Sequence, residues 1–224
     1  MEENEQLMDV EIGFAINHLD EHDISIKNRD KGGPCGSSPP TITSLLSWNC
    51  RGLGNPRAVQ VLLDLVKEKK AYFIFLIETH YARSKLKALK SKLAMEGPFV
   101  VDSVGRSRVT SYYGELNRNR SSISQNLLRA FSSKSSLPWL CVGDYNDVLA
   151  SSEKKGDLFD LKMDGYEFTW QHGKGTRALV EEKLDRAMAS HDWIAMFTNY
   201  QVMNLPYTSS DHSLLLMKTQ GKQG

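Results

Sequence analysis

The chain has 224 residues, of which 40% are hydrophobic and 25% charged, enough for one well-buried core and at most two small ones. No run of about 18 apolar residues occurs, and the acidic start Met1-Glu2-Glu3-Asn4-Glu5 resembles neither a secretory signal nor an Arg-rich transit peptide; a soluble intracellular protein is expected. Three cysteines, Cys35, Cys50 and Cys141, are odd in number and far apart, which excludes a disulfide framework and a CxxC metal site and leaves free thiols.

The net charge of +1 hides an asymmetry: residues 1–43 hold three Lys/Arg against nine Asp/Glu, whereas residues 44–219 hold 24 against 18. A basic globular part behind an acidic head is compatible with a polyanionic substrate. The leader lacks periodicity and ends in the turn-forming run KGGPCGSSPP, so residues 1–43 are expected to be a flexible leader and linker, 44–219 the domain and 220–224 a tail.

Within the domain, residues 44–50 (SLLSWNC) read as a buried strand, and Pro56 opens a helix whose Val59, Leu62, Leu63 and Val66 recur at helical spacing up to Lys70. Residues 72–77 (YFIFLI) form a second apolar strand ending at Glu78, followed by a helix over 84–94 with a basic face. Further strands are expected at 99–101, 109–113 and 139–143, with a helix over 121–131. The last third offers a strand at 166–171, a helical pair over 184–197, and strands at 200–205 and 212–217. Interleaved strands and helices give an α/β or α+β class with helices layered on sheet.

Several acids and amides flank these apolar strands: Asn49, Glu78, Asp144 and Asn146, and Asp211 with His212. Strand ends are where sites are built, and these side chains suit attack on a phosphodiester. Glu78 offers the carboxylate a hard divalent cation prefers. Asp144 is a base for a water nucleophile, with Asn146 fixing geometry. A protonated His212, held by an acid such as Asp185, stabilises charge on phosphoryl oxygens.

The strings SWNCRGLG (47–54), IET (77–79), YYG (112–114), GDYN (143–146), KLDR (183–186) and SSDHS (209–213) resemble, in order, the successive motifs of the endonuclease/exonuclease/phosphatase superfamily. Flanking LPWL (137–140) and SEK (152–154) are similar to the apurinic-endonuclease-like domain of plant non-LTR (LINE-type) retrotransposons. The resemblance spans residues 44–218 and implies a four-layered sandwich of two β-sheets flanked by helices, with Mg²⁺-dependent (or Mn²⁺-dependent) cleavage of nucleic acid, DNA first, and a possible nuclear location. It also implies roles. Glu78, Asn49 and Asp211 would lie at the metal; Asp144, Asn146, Asp185, His212 and Tyr113 would be catalytic; Asn49, Tyr113, Asn146 and His212 would meet the substrate phosphate. Against the family pattern the chain is short between Gly105 and Tyr112 and between Gly156 and Tyr166, so an incomplete sandwich is expected. The competing functions are an inactive truncated relic and a phosphatase- or deadenylase-type phosphoesterase.

Other strings carry less. His18-Leu19-Asp20-Glu21-His22 matches a zinc-protease pattern but lies in the acidic leader, where nothing supplies a third ligand. Gly173-Lys174-Gly175-Thr176 lacks the full phosphate-loop frame. Trp48, Trp139, Trp170 and Trp193 each sit in an apolar pattern and are expected to pack in the core rather than stack on bases.

Overall fold

The computed structural model describes residues 12–15, 43–94, 108–114, 137–146, 158–206 and 210–219. Its largest sheet has six strands in the order β1-β3-β2-β12-β11-β7: β1 (Ile12–Ala15), β2 (Thr43–Asn49), β3 (Phe73–Ile77), β7 (Met163–Asp164), β11 (Gln201–Leu205) and β12 (Leu214–Thr219). A second sheet runs β4-β5-β10-β6, built from β4 (Arg108–Tyr113), β5 (Trp139–Asp144), β6 (Leu158–Asp160) and β10 (Asp185–Ser190). A two-stranded ribbon pairs β8 (Trp170–His172) with β9 (Val180–Glu182).

Strand alternation divides the apolar residues between two cores. From β2, β3 and β12, one set (Leu46, Trp48, Ile74, Leu76, Leu214, Leu216) packs against two helices, α1 (Pro56–Lys69) and α2 (Arg83–Lys92). The other set (Leu45, Phe73, Phe75, Leu215, Met217) meets Val109, Leu140, Val142, Ala187 and Ala189 of the second sheet. Strands buried on both faces read as continuous apolar runs, which is why SLLSWN and FIFLI are legible as strands. α1 starts where Asn55 Oδ1 accepts the Arg57 N–H at 2.9 Å ahead of Pro56, and it lays Ala58, Leu62 and Val66 into the first core. It stops at Lys70, in the left-handed region at φ 51°.

The mixed α/β sandwich of sheets agrees with the expected class, with local corrections. The helical pair expected over 184–197 is instead a strand followed by one short helix. Asp185–Ser190 alternates small Ala187 and Ala189 toward the inter-sheet core with Met188 on the other face, and pairs with both β5 and β6; bulkier residues there would hold the sheets apart. Ser190 then caps α3 (His191–Met196), its Oγ accepting the Trp193 and Trp139 N–H groups. The strand expected over 166–171 forms only from Trp170, because the carbonyls of Tyr166 and Phe168 accept Asn204 Nδ2 at 2.7 and 2.8 Å instead of a neighbouring strand. The closing strand runs from Leu214 rather than from His212, which makes an isolated bridge to Trp170. The short passage 157–165 holds β6 and β7, neither foreseen.

In the leader, Ile12–Ala15 pairs antiparallel with β3. The rest of 1–42, the strand expected at 99–101, the helix expected over 121–131 and the tail 220–224 lie outside the described residues. Among the described residues no helix is long and apolar enough to cross a membrane. Trp48, Trp139 and Trp193 are buried as expected; Trp170 is only half-buried.

The parallel β4–β5 pair is drawn tight where Tyr112 faces Gly143: a β-carbon added to Gly143 would lie 1.9 Å from the Tyr112 carbonyl oxygen. Gly143→Ala must therefore push β4 from β5 and is expected to cost about 3 kcal/mol or more, against about 2–5 kcal/mol for the cavity left by Leu62→Ala. Urea unfolding midpoints measure both. An unchanged midpoint for Gly143→Ala would show that β4 tolerates displacement.

Candidate active site

Register brings the polar strand ends together. Asn49 closes β2 opposite Ile77, so Glu78 is the next residue past the end of the parallel strand β3. In the second sheet Tyr113 pairs with Asp144, and Asp144 with Asp185, setting three polar groups side by side across β4, β5 and β10. The two sets face each other at one rim of the sandwich. Asn49 Nδ2 donates to Glu78 Oε1 at 2.9 Å and to Asp144 Oδ2 at 3.0 Å, and the Tyr113 hydroxyl donates to Glu78 Oε1 at 2.7 Å. Asn146 donates its backbone N–H to Asp144 Oδ1 and its Nδ2 to the Gly114 carbonyl, both at 3.0 Å.

His212 arrives from the loop before β12. Ser210 Oγ donates to the Asn49 carbonyl at 2.9 Å and accepts the His212 N–H at 3.1 Å, which pins this loop to the end of β2. The ring places Nδ1 2.9 Å from Asp185 Oδ2 and Nε2 3.8 Å from Asp144 Oδ2. Asp185 is steadied by Thr169, whose Oγ1 accepts the Leu184 and Asp185 N–H groups. Asn49 and Asp144 are 0% exposed, His212 1% and Asp185 3%.

Burial of so many ionisable groups shifts their titration. For Asp144 burial is the largest influence, reinforced by the Asp185 charge, and its pKa rises from 3.8 to about 6. For His212 burial is again largest and pulls the pKa down. The charge and hydrogen bond of Asp185, with the charges of Asp144 and Asp211, outweigh it and raise the value from 6.5 to about 9. At neutral pH the pair is a carboxylate beside an imidazolium, two environments driven apart to give a base and an acid. Cys50, close by, is excluded from nucleophilic work because burial pushes its thiol up to about 12.

Two groups of ligands present themselves for a cation. Asp144, Asp185 and His212 each have a ligand atom within 4.8 Å of the others, but an imidazolium that donates to Asp185 has no lone pair left for a metal. The fitting oxygen donors are Glu78, Asp211 and Asn49. Asp211 Oδ1 is buried without a hydrogen-bond partner, an acceptor that a hard divalent ion satisfies.

All eight site residues named from the sequence thus lie at this rim, where further residues support them. Trp170 donates its Nε1–H to Asp211 Oδ2 at 3.0 Å. Thr169 and Ser210 position Asp185 and His212 through backbone contacts that no string of letters announces. Arg51 lies between Glu78 and Asp211. Of the six non-glycine residues at positive φ among the described residues, Arg51, Glu78 and Asn146 lie at the site, His80 follows Glu78 by two positions, and Lys70 and Ala94 sit at helix ends; backbone strain collects at functional sites.

A buried acid–imidazole–acid array across the antiparallel pair β5–β10 of a two-sheet sandwich defines a class, and the sequence match agrees with it. The model of the Endonuclease/Exonuclease/phosphatase family matches residues 46–212, and the chain belongs to that family. No curated protein sequence matches the chain. Among solved structures, TDP2 from Caenorhabditis elegans is similar in fold, with a TM-score of 0.57, 15% identity, and 81% of this chain and 75% of that one covered. D. rerio TDP2 complexed with single strand DNA product gives 0.55, 13%, 81% and 100%. The endonuclease domain of TRAS1, a telomere-specific non-LTR retrotransposon, gives 0.54, 14%, 81% and 100%.

Both shifted groups bind protons more tightly folded than unfolded, so stability falls as pH rises through each window. For Asp144 the window runs from 3.8 to about 6; for His212 the stabilisation is complete below 6.5 and lost by about 9. Asp185→Asn removes the main partner that raises His212 and is expected to flatten the upper window. Melting temperatures of parent and variant between pH 6.5 and 9 check this; equal slopes would assign the effect elsewhere.

Proposed function

We propose that the protein is a divalent-metal-dependent phosphodiesterase that cuts nucleic acid, with DNA as substrate and Mg²⁺ as the natural ion, and that it derives from the endonuclease domain of a plant LINE-type retrotransposon. The observation that carries the reading is the convergence of Asn49, Glu78, Tyr113, Asp144, Asp185 and His212 from four strands and two loops into one cluster, in which Ser210 links His212 to Asn49. The flanking motifs around residues 137–140 and 152–154 favour the retrotransposon origin, and similarity in fold to TRAS1 and to a DNA-bound TDP2 supports the substrate class.

Asp144 is the base. Ionised above a pKa of about 6, it accepts a proton from a water aligned with the scissile phosphorus, while Asn49 and the Asn146 backbone hold both its oxygens in place. His212 is the electrophile. Its Nε2 lies 3.8 Å from Asp144 Oδ2 and makes no hydrogen bond, so it can donate to a phosphoryl oxygen as charge develops there, and Asp185 keeps the ring charged and oriented. Tyr113 anchors Glu78 and borders the phosphate. Glu78, Asp211 and Asn49 would hold the ion, which supplies charge neutralisation at the phosphate.

The test is nicking of supercoiled plasmid by purified protein. Expected are dependence on Mg²⁺, loss on chelation, and a fall of about 10²–10⁴ in rate for Asp144→Asn or His212→Gln. Rate against pH should rise near 6 and fall near 9, following the base and acid forms. Nicking that survives Asp144→Asn would remove the assignment. A cooperatively melting protein that cuts neither DNA nor RNA but hydrolyses a small phosphoester would move the substrate to the phosphatase class, and one without any activity would identify an inactive relic.

A further inference from the structure

Arg51 has no part in the chemistry above, yet its side chain is aimed into the cluster. Its backbone is left-handed, at φ 43°, and its N–H donates to Asn49 Oδ1 at 3.2 Å. That conformation is unfavourable for a residue with a β-carbon, and it carries the guanidinium over the two acids that fit a cation. Nε lies 3.5 Å from Glu78 Oε2 and Nη1 lies 3.4 Å from Asp211 Oδ2. The neutral donors leave room for this arrangement: Asn49 and Tyr113 both bind the other Glu78 oxygen, Oε1. One guanidinium therefore reaches carboxylates from two distant loops.

We propose that Arg51 is the internal counter-cation of the metal site, occupying the space between Glu78 and Asp211 and leaving it when a divalent ion binds. The inference rests on the metal-site reading above. Two like charges facing one another need a cation between them, and the chain provides its own. Both contacts are longer than a hydrogen-bonded ion pair, and the side chain is 44% exposed, so the guanidinium is held weakly and has a path to solvent. A compact divalent ion with carboxylate ligands displaces it readily. Metal affinity is then the net of two competing cations, and the free protein already carries one positive charge between the two acids before any ion arrives.

The measurement is the binding of Mn²⁺ alone, followed by the electron paramagnetic resonance signal of the free ion, in parent, Arg51→Gln, Arg51→Lys and Glu78→Gln proteins, with thermal melts with and without Mn²⁺. Arg51→Gln is expected to bind Mn²⁺ about 3- to 30-fold more tightly than the parent, the factor that two exposed ion pairs amount to. It should melt lower without metal and show a larger Mn²⁺-induced rise in melting temperature. Arg51→Lys, which keeps the charge but loses the planar fork, should fall between. If Mn²⁺ binds the parent in a Glu78-dependent way and Arg51→Gln leaves the affinity unchanged or weakens it, the metal site stands and the role given to Arg51 is wrong. If neither the parent nor Arg51→Gln binds Mn²⁺, the metal-site reading fails and takes this proposal with it.

Discussion

One amide group holds the site together. Asn49 Nδ2 spends its two protons on carboxylates of different origin, Glu78 beyond β3 and Asp144 at the end of β5, and so ties the rims of the two sheets across the inter-sheet core. Because Asn49 is 0% exposed, no water competes for these bonds, and an unbonded amide or carboxylate there would carry the full cost of desolvation. The amide suits this place: a carboxylate would add a charge where two already meet, and an apolar side chain would take a donor from both acids.

Around that bridge the electrostatics are layered. Asp185 and Asp144 face each other across β10 and β5, a juxtaposition that helps raise Asp144, and the imidazolium of His212 between them offsets it. Below, on the other side of β10, Arg186 and Lys183 share Asp160, each at 2.7 Å. Successive residues 185 and 186 thus send opposite charges to opposite faces of the sheet, as strand alternation requires. A charged group on either face is paired within its own layer, so the two networks do not disturb one another.

The legible parts of this molecule are those governed by local rules. SLLSWN, FIFLI and WLCVGD are apolar runs closed by a polar residue, and they are strands with site residues at their ends. Asn55-Pro56 followed by periodic leucines and valines is a helix. Residues 184–197 misled because Ala, Met and Leu favour helices in isolation, and only the partners β5 and β6, distant in sequence, select the extended form. Trp170 has the composition of a core residue and yet uses its indole N–H on Asp211; hydrogen-bond partners of that kind belong to tertiary structure. Arg51 stands inside a motif string, but its position between two acids becomes visible only in three dimensions. Among the described residues the second sheet has four strands and the first six.

The division of the cluster between two sheets has a mechanical meaning. Asn49 and Glu78 ride on the six-stranded sheet, Tyr113, Asp144 and Asp185 on the four-stranded one, and the small side chains of Ala187 and Ala189 help set the gap between them. The hydrogen bonds that cross this gap tolerate only a few tenths of an ångström before they fail, whereas the apolar contacts beneath them soften gradually. The rim therefore works as a vernier on the sandwich, in which a sideways slip too small to unfold the chain is already enough to take His212, Asp144 and Asn49 out of line.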